Sequence, residues 1–489
     1  MKTFPSLDVL RGYRDSGLYT MAALTTELYA DIRTPVEVLR ILRARGSHCF
    51  LFESAEDKER WGRFSFLGLD PGLTVSCRDG ELKIGEKTSR TAHPKKEIRE
   101  LMRHYRAPRI EGLPPFTGGL VGYFAYDYIK YAEPTLRLAE GGGEGFQDVD
   151  LMLFTKLIAF DHYRQKMVLI VNVALDRLEE NYADALRALE ELRELVHREP
   201  SREGTSGRAL SPFRSQFTEA EYAALVEKTR RHIYEGDVFQ LVLSNRLEAA
   251  FEGSLLDTYR ALRSLNPSPY LFFLSSPTLE VAGASPETLV KLEGKELHTF
   301  PLAGTRPRGK SAAEDAALEQ ELLADEKELS EHNMLVDLGR NDLGKISRFG
   351  TVTVERLREI LRFSHVMHIG SAVRGEIRED CDALDAIDAV LPAGTLSGAP
   401  KYRAMELIAE MEGEKRGIYG GAIGYLDFNG NLDTCIGIRM AYRLNGKVYV
   451  RSGAGLVADS VPEKEYAECR NKAAAVLRAI EEAADDTLN

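Results

Sequence analysis

The chain has 489 residues, of which 44% are hydrophobic and 29% are charged, and this length is enough for two or three domains. Its formal net charge of −12, with no long basic run and no apolar run of membrane-helix length, argues against nucleic acid or a membrane as a partner. The first residues lack the pattern of a secretory signal and the five cysteines are scattered without a Cys-x-x-Cys pair, so we expect a soluble cytoplasmic protein with reduced thiols.

The first part of the chain mixes predicted helices with predicted strands. Thr34, Pro35 and Glu37 combine an N-cap, a proline at the first helical position and a capping-box glutamate. They predict a helix that leads into an apolar strand over 49–52. We expect this part to contain an antiparallel sheet. Two further strands and a charged amphipathic helix are predicted at 118–126, 151–160 and about 183–197.

A polar stretch rich in Gly, Ser and Arg begins at residue 199 and has the composition of an exposed connection. It predicts a domain boundary. The predicted units are an N-terminal domain over 1–198, a linker over 199–216 and a second domain over 217–489.

The second domain begins with another capping box, formed by Thr218 and Glu221, and a helix that ends near Gly236. A strand is predicted over 238–247, and a long helix over 462–484 closes the chain. Asn-Gly pairs favour tight hairpins between antiparallel strands. Two such pairs lie in β-rich sequence, at 429–430 and 445–446.

Two similar acidic hexapeptides stand out at 326–331 and 463–468, each in a helical pattern. Their second and third glutamates are spaced i and i+3, so both project from one face of a helix. If the two helices converge, four carboxylates surround one point, and a cation is needed to offset their repulsion. Oxygen-only ligation suits Mg²⁺. The alternative for each isolated copy is a solvated surface helix.

Six dense motifs accompany the glutamates and resemble, in the same order, those of the chorismate-utilising enzymes, most closely the large subunit of anthranilate synthase. The resemblance covers essentially all of 217–489 and is weaker at 51–54 and 118–123. It implies an α+β fold with layers in the order helix, sheet, sheet, helix and an associated N-terminal α+β domain. The six motifs are residues 301–309, 332–344, 392–401, 417–425, 452–455 and 459–463.

The resemblance also implies a metal site on the glutamate helices. Glu331 and Glu468 would ligate Mg²⁺ directly, while Glu328 and Glu465 would hold its water ligands. Chorismate carries two carboxylates, and a metal on the ring carboxylate would anchor the substrate and draw electron density.

Other residues of the resemblance would bind the substrate. Arg439 would grip the enolpyruvyl carboxylate through its planar fork, helped by Tyr419, although an arginine in a strand pattern is more often a surface residue. A glycine-rich turn would bring backbone N–H groups close to a carboxylate. The turn consists of Gly453, Ala454 and Gly455, and the same pocket would be lined by Gly304 and Thr305.

Three residues are candidates for the chemistry. His368 would act as a general acid for the departing hydroxide, although a histidine among apolar residues is more often structural. Thr395 would hydrogen-bond the leaving oxygen, or else cap a helix that begins near Pro400. Lys472 lies one turn beyond Glu468 and would add positive charge.

Ala303 distinguishes between branches of the family. The isochorismate synthases and aminodeoxychorismate synthase carry a lysine at this position, and alanine fits an amine nucleophile delivered from outside. The expected reaction gives anthranilate and pyruvate. Since no cysteine has the context of a glutaminase nucleophile, we expect a hetero-oligomer in which a glutamine amidotransferase subunit supplies ammonia. The alternatives are aminodeoxychorismate synthase component I and a catalytically silent tryptophan-sensing subunit.

Two segments resemble the two halves of the family's tryptophan feedback site. The alternative is a buried strand and a Pro-rich turn. Leu271 stands where methionine is common, and its similar volume favours retained binding. The predicted tryptophan site consists of Glu53, Ser54, Pro269, Tyr270 and Leu271.

Overall fold

The computed structural model describes residues 2–55, 62–139, 145–200, 206–362 and 366–484. Its helices are α1 (Leu7–Ser16), α2 (Pro35–Arg45), α3 (Pro94–Arg103), α4 (Leu178–Val196), α5 (Glu219–Tyr234), α6 (Leu256–Leu265), α7 (Ala312–Ala324), α8 (Glu326–Gly344), α9 (Ala383–Val390), α10 (Lys401–Glu412) and α11 (Pro462–Ala484). Two 3₁₀ turns span Tyr126–Tyr131 and Gly394–Leu396.

The strands are β1 (Met21–Tyr29), β2 (Cys49–Glu53), β3 (Phe64–Leu69), β4 (Leu73–Arg78), β5 (Glu81–Ile84), β6 (Lys87–Arg90), β7 (Gly119–Phe124), β8 (Val149–Phe154), β9 (Lys156–Asp161), β10 (Lys166–Ala174), β11 (Arg208–Ala209), β12 (Arg214–Ser215), β13 (Gln240–Glu252), β14 (Tyr270–Ser275), β15 (Leu279–Ser285), β16 (Thr288–Glu293), β17 (Glu296–Thr299), β18 (Leu302–Pro307), β19 (Thr353–Arg362), β20 (Val366–Glu376), β21 (Gly398–Ala399), β22 (Ala422–Asp427), β23 (Leu432–Ile436), β24 (Met440–Leu444) and β25 (Lys447–Leu456).

These strands form two sheets. The first sheet has the order β1-β10-β9-β3-β2-β14-β15-β24-β25-β13-β11, with β12 and β21 also paired to β13. The second sheet has the order β18-β20-β17-β16-β23-β22-β7-β8-β4-β5-β6, with β19 also paired to β20. The strand pairs within both sheets are antiparallel, as the hairpin signals predicted for the end of the chain.

Both parts of the chain contribute strands to both sheets. In the first sheet β2 pairs with β14, and in the second sheet β7 pairs with β22. The predicted linker over 199–216 includes β11 and β12, which both pair with β13, while its residues 201–205 lie outside the described part of the chain. The two predicted domains are consecutive in the sequence, but in the structure they share both sheets.

Side chains alternate between the two faces of each strand. In β14, Phe272 and Leu274 face the core between the sheets, whereas Leu271 and Phe273 face a second core beneath helices. Helices α2, α4, α6 and α11 cover the outer face of the first sheet, and α3, α8 and α9 pack on the second. The predicted order of helix, sheet, sheet and helix is confirmed.

The local signals were confirmed where they depend on short-range contacts. Thr34 and Thr218 both form the predicted capping boxes. Asn445 and Gly446 join β24 to β25 with φ values of 51° and 73°, the left-handed conformation of a tight hairpin turn.

One predicted strand was wrong in its extent. The sequence from 151 to 160 forms two strands that meet at Thr155 and belong to different sheets. The carbonyl of Thr155 accepts bonds from the backbone and the side chain of Asn172, so the chain is held at the point where it crosses from one sheet to the other. The sequence is apolar both before and after Thr155, so its pattern gives no signal that one strand ends there and another begins.

Among the described residues, we find no helix that combines the length and the apolar character needed to span a bilayer.

We predict that Gly122→Ala destabilises the fold. A Cβ at Gly122 would lie 2.0 Å from the carbonyl oxygen of Asp150 on the neighbouring strand. Such overlap with a backbone atom should lower the free energy of unfolding by about 2 kcal/mol or more. Chemical denaturation of both proteins measures this difference.

The control is Gly12→Ala in α1, where a Cβ would meet no atom within 4 Å. This change should raise the free energy of unfolding by up to about 1 kcal/mol, because alanine is the better helix former. Equal stability of the two variants would contradict the close packing of β7 on β8.

Candidate active site

The predicted site residues gather where the β13–β25 end of the first sheet faces the β18–β20 end of the second sheet, with α8 and α11 alongside. Gly304 and Thr305 lie on β18 and His368 lies on β20. The remaining predicted residues come from α8, α11, β25, the Gly394–Leu396 turn and the loops before β22 and β24.

Glu331 on α8 and Glu468 on α11 lie close enough for their charges to interact. Burial raises the pKa of Glu331, and the neighbouring charge of Glu328, with a smaller contribution from Glu468 on the other helix, raises it further. Burial likewise raises the pKa of Glu465, and Glu468 adds to the effect. The raised pKa values of these two carboxyl groups are the sign of a site that would gain from a cation.

These carboxylates do not form a closed ligand cluster. In the described part of the chain, three ligand atoms lie within 4.8 Å of one another at His232, Glu235 and Asp237, not at the glutamates of α8 and α11. Glu468 forms an ion pair of 2.6 Å with Lys472 instead. The all-oxygen donor set fits a hard divalent cation such as Mg²⁺, and the ion pair with Lys472 engages one of the two carboxylate oxygens of Glu468.

A bulge in β18 shapes the other side of the site. The register with β20 shifts between Ala303 and Thr305, and Gly304 at the shift has a φ of 63°. His368 Nδ1 lies 2.9 Å from the carbonyl oxygen of Gly304 and 3.0 Å from Thr305 Oγ1. A carbonyl only accepts, so Nδ1 carries a proton and Nε2 is the acceptor of the neutral ring.

The environment keeps His368 uncharged near neutral pH. Burial lowers the pKa of His368, the bond to Gly304 opposes this, and the positive charge of Arg439 lowers the pKa further. Arg439 itself has a pKa lowered by burial, with Tyr419 and Glu468 acting in the opposite direction. The structure thus brings His368, Arg439, Tyr419 and Glu468 into one electrostatic neighbourhood.

Lys472 links α11 to this neighbourhood. Its Nζ donates to the carbonyl oxygen of Gly453 at 3.1 Å, and its own carbonyl oxygen accepts from Arg439 Nη1 at 3.3 Å. The hydroxyl oxygen of the buried Tyr419 lies 3.0 Å from the position that a Cβ on Gly453 would take. Two cations, a phenol and a glycine backbone therefore face the same space, as an anionic ligand requires.

The predicted turn at Gly453, Ala454 and Gly455 was wrong. These residues lie in β25 and pair with Ser244, Leu243 and Val242 of β13. The reason for the glycines is close packing, because a Cβ on Gly453 would lie 2.6 Å from the carbonyl oxygen of Leu243. The small residues thus let β25 lie close to β13 and to the Tyr419 hydroxyl.

Thr395 does not cap the following helix. Its hydroxyl donates to Glu287 Oε1 at 3.0 Å, and the residue before α10, Pro400, makes no side-chain cap. Sequence reasoning missed Glu287. Burial raises its pKa to about 7, although the bond from Thr395 and the charge of Lys472 lower it. The available signal was a carboxylate placed two residues after the fully buried strand β15.

Gln240 was also missed. It begins β13, its side chain is 4% exposed, and its Nε2 lies 3.4 Å from Glu331 Oε1. The same Nε2 would be 2.7 Å from a Cβ on Gly455. A polar residue at the start of the apolar run 240–243 was the signal in the sequence.

A separate cavity of about 310 Å³ lies between the two sheets, a size at the lower end of the range for ligand pockets. All five residues of the predicted tryptophan site line it: Glu53, Ser54, Pro269, Tyr270 and Leu271. The second sheet supplies the opposite wall, including Gly424, Tyr425 and Asp433.

Polar groups in and around this cavity are already engaged. The Glu53 carboxylate accepts from the Tyr259 hydroxyl at 2.6 Å and pairs with Arg263 at 2.8 Å. The Tyr270 hydroxyl lies 2.8 Å from Asp433 Oδ1 and 3.0 Å from Thr288 Oγ1. Thr288, which bonds the cavity residue Tyr270, directly follows Glu287 in the chain.

Comparison with known proteins shows a consistent relationship. The model of the chorismate binding enzyme family matches residues 47–478. Anthranilate synthase component 1 of Acetivibrio thermocellus is 43% identical and that of Acinetobacter calcoaceticus is 45% identical, over 99% and 97% of this chain and 99% and 98% of theirs. The crystal structure of anthranilate synthase component I from Streptococcus pneumoniae superimposes with a TM-score of 0.75 at 38% identity, covering 85% of this chain and 92% of that one.

We predict that Glu287→Gln flattens the pH dependence of stability. The pKa of Glu287 in the folded protein, about 7, lies above its ordinary value of 4.5. Its protonated form is therefore favoured by folding, and the stability it contributes is fully present below pH 4.5 and is lost as the pH rises through about 7.

Urea unfolding of the parent and of Glu287→Gln between pH 4.5 and pH 8 measures this effect. The glutamine variant should gain stability relative to the parent as the pH rises. A difference between the two proteins that stays constant with pH would contradict the placement of Glu287.

Proposed function

Since this chain belongs to the chorismate-binding enzyme family, we propose that it works as component 1 of an anthranilate synthase and forms anthranilate and pyruvate from chorismate and ammonia. The observation that carries the proposal is the arrangement of charge around His368. Carboxylates on α8 and α11 lie close to two cations, Lys472, which pairs with Glu468 on the same helix, and Arg439.

This arrangement suits a substrate with two carboxylates. Arg439, with Tyr419 beside it, would hold the enolpyruvyl carboxylate through its planar fork. The Gly453–Gly455 segment of β25, which pairs with β13 and lies beside the Tyr419 hydroxyl, would bind the second carboxylate through its backbone. Gly304 and Thr305 would form the opposite wall, where the β18 bulge fixes their orientation.

Mg²⁺ is the cation that fits this donor set, and it would neutralise the ring carboxylate and draw electron density from the diene. Glu331 and Glu468 are the proposed direct ligands, with Glu328 and Glu465 orienting its water molecules. Glu328 lies against Gly304, since its Oε2 would be 3.3 Å from a Cβ there. The metal site and the substrate wall would therefore be contiguous.

Two groups are suited to move protons in opposite directions. With a pKa of about 7, Glu287 can be protonated at neutral pH and can protonate the departing hydroxide, while Thr395 positions its carboxyl group. The neutral His368 presents Nε2 as a base for the ring proton that is lost when pyruvate leaves. This assigns the acid role, expected for His368 from the sequence, to Glu287.

The amine must come from outside the chain. Ala303 lies on β18 beside Gly304 and offers no nucleophile. The five cysteines are free thiols, and four of them are buried, which does not suit a glutaminase nucleophile. We therefore propose a glutamine amidotransferase subunit as the partner in a cytoplasmic hetero-oligomer, with free ammonium as its substitute in an assay.

Tryptophan is the proposed inhibitor in the cavity between the sheets. The supporting observation is that all five residues predicted for its site line this cavity. Aminodeoxychorismate synthesis, the enzymatic alternative, would need a lysine in place of Ala303. A catalytically silent sensor would not need a protonatable carboxyl group at Glu287, between β15 and β16.

We predict that Glu331→Gln abolishes metal-dependent formation of anthranilate. The purified parent is given chorismate and ammonium with Mg²⁺ or with chelator, and anthranilate and pyruvate are separated by chromatography. Loss of a ligating carboxylate should lower turnover by at least about 100-fold, more than is typical for an outer-shell partner. Tryptophan binding should be unchanged.

The control is Glu326→Gln, an exposed glutamate in the first turn of the same helix, which should turn over like the parent. Full activity of Glu331→Gln would refute the metal assignment. Aminodeoxychorismate or isochorismate as the product of the parent would refute the proposed reaction.

We predict that Ser54→Ala weakens inhibition by tryptophan. Losing one hydrogen bond, worth about 1 kcal/mol, should raise the half-inhibitory concentration about fivefold. Ser89→Ala in β6, outside the cavity, is the control and should be inhibited like the parent. Equal inhibition of Ser54→Ala and the parent would remove Ser54 from the site.

A further inference from the structure

A buried group of charges lies directly behind the candidate active site. The side chain of Arg416 is 1% exposed and that of its partner Glu412 is 0% exposed. Arg416 Nε donates to Glu412 Oε2 at 2.8 Å, and Nη2 donates to the other carboxylate oxygen, so the pair is bidentate. Burial alone would raise the pKa of Glu412, but the charges of Arg416 and Arg451 lower it below its ordinary value.

The remaining donors of Arg416 reach two segments of the site that are far apart in sequence. Nη1 donates to the carbonyl oxygen of Leu396 at 2.6 Å, and Nη2 donates to that of Val242 at 2.7 Å. Leu396 follows Thr395, which bonds Glu287. Val242 is the register partner of Gly455.

A third segment of the site packs on the guanidinium itself. The central carbon of Arg416 lies 5.8 Å from the ring centroid of Tyr419 and 4.8 Å from that of Tyr126. Both distances are within the range of cation–π attraction. The Tyr419 hydroxyl oxygen in turn lies beside Gly453.

Glu412 extends the same hydrogen-bond network to strand β13. Its Oε1 accepts from the backbone N–H of Ser244 at 2.7 Å and from the Ser244 hydroxyl at 3.0 Å. Ser244 is the register partner of Gly453. The fully buried Arg451 lies 3.4 Å from Glu412 Oε2 and also pairs with Glu414.

We infer that Arg416 is a positioning residue for the reaction, fixing Thr395, Tyr419 and the Gly453–Gly455 segment relative to one another. It touches none of the residues proposed to ligate the metal or move protons, and it acts through the backbone of Leu396 and Val242 and the ring of Tyr419. The inference rests on the proposed function only for the identity of the reaction.

The geometry requires arginine. Four hydrogen bonds in three directions use the planar fork, and a lysine ammonium is a single point charge that cannot span Glu412, Leu396 and Val242 together. A buried ion pair is not by itself a source of net stability, because the desolvation of both charges offsets their attraction. The effect of the ion pair on the site is the specific arrangement that it imposes on three separate segments.

The test is Arg416→Lys, compared with Arg99→Lys as the matched control. Arg99 of α3 also forms a bidentate ion pair, with Asp382 before α9, but contacts no segment of the site. Steady-state kinetics with chorismate, ammonium and Mg²⁺ are measured on both variants at a temperature where thermal unfolding curves show the folded state.

Misplacement of the three segments should lower kcat of Arg416→Lys by about 100-fold. It should also raise KM for chorismate about fivefold or more, since Tyr419 and the Gly453–Gly455 segment would bind the substrate. Arg99→Lys should keep both constants within about twofold of the parent, even with a lower melting temperature.

The split between kcat and KM separates positioning from simple loss of folded protein, because an unfolded fraction lowers apparent kcat and leaves KM unchanged. Parent-like constants for Arg416→Lys, or a fall in kcat at constant KM, would overturn the inference. If Arg416→Lys does not fold, Glu412→Gln answers the same question, since it removes the charge partner and keeps the shape. Should the parent convert chorismate to another product, the same constants are measured for that product, which separates failure of the proposed function from failure of this inference.

Discussion

The pairing of strands from the two ends of the chain is the constraint on which the rest of the structure depends. The register of β2 with β14 places Glu53 opposite Leu271, and the register of β7 with β22 places Gly119 opposite Asp427. A slip of one residue in either pair would turn every side chain to the other face of its sheet. The cavity between the sheets and the packing of α8 beside the site would both be lost. The family relationship, which extends over 47–478, includes these pairings.

The two sheets and their helices also bring together the charged groups of the candidate site. The carboxylates of Glu331 and Glu468, from α8 and α11, interact with the cations Lys472 and Arg439, and Arg439 also lies near the neutral His368. Burial is the largest cause of the raised pKa of Glu331 and of the lowered pKa values of His368 and Arg439. A dianionic substrate held with a divalent cation would pair with both the cations and the carboxylates. A protein of net charge −12 would then need no general positive field to hold that anion.

Sequence reasoning predicted what depends on local pattern. The capping boxes at Thr34 and Thr218, the helices α8 and α11 and the Asn445-Gly446 hairpin are each written within a few neighbouring residues. Resemblance of motifs predicted the layered fold and named residues that the structure gathers at one site, although their roles stay predictions. What could not be predicted depends on contacts between distant segments.

Arg416 is the clearest case of such a limit. In sequence it follows two charged residues after a helix and is typical of an exposed loop, whereas in the fold it is almost completely buried. Glu287 and the strand conformation of Gly453–Gly455 were missed for the same reason. Thr395, which bonds Glu287, and β13, which pairs with Gly453–Gly455, each lie more than one hundred residues away in the sequence.

Glu287 and Thr288 sit side by side but serve two different places, one facing Thr395 and the other facing Tyr270 at the cavity between the sheets. The planar peptide bond keeps their two Cα atoms about 3.8 Å apart, while rotation at each Cα lets the two side chains turn to different sides. A molecule that displaced the Tyr270 hydroxyl would therefore break a hydrogen bond to the residue next to Glu287 in the chain. Under the proposed inhibition by tryptophan, substitutions near Thr288 would disturb the proposed acid as well as the inhibitor site, whereas substitutions at Ser54 would lie apart from that acid.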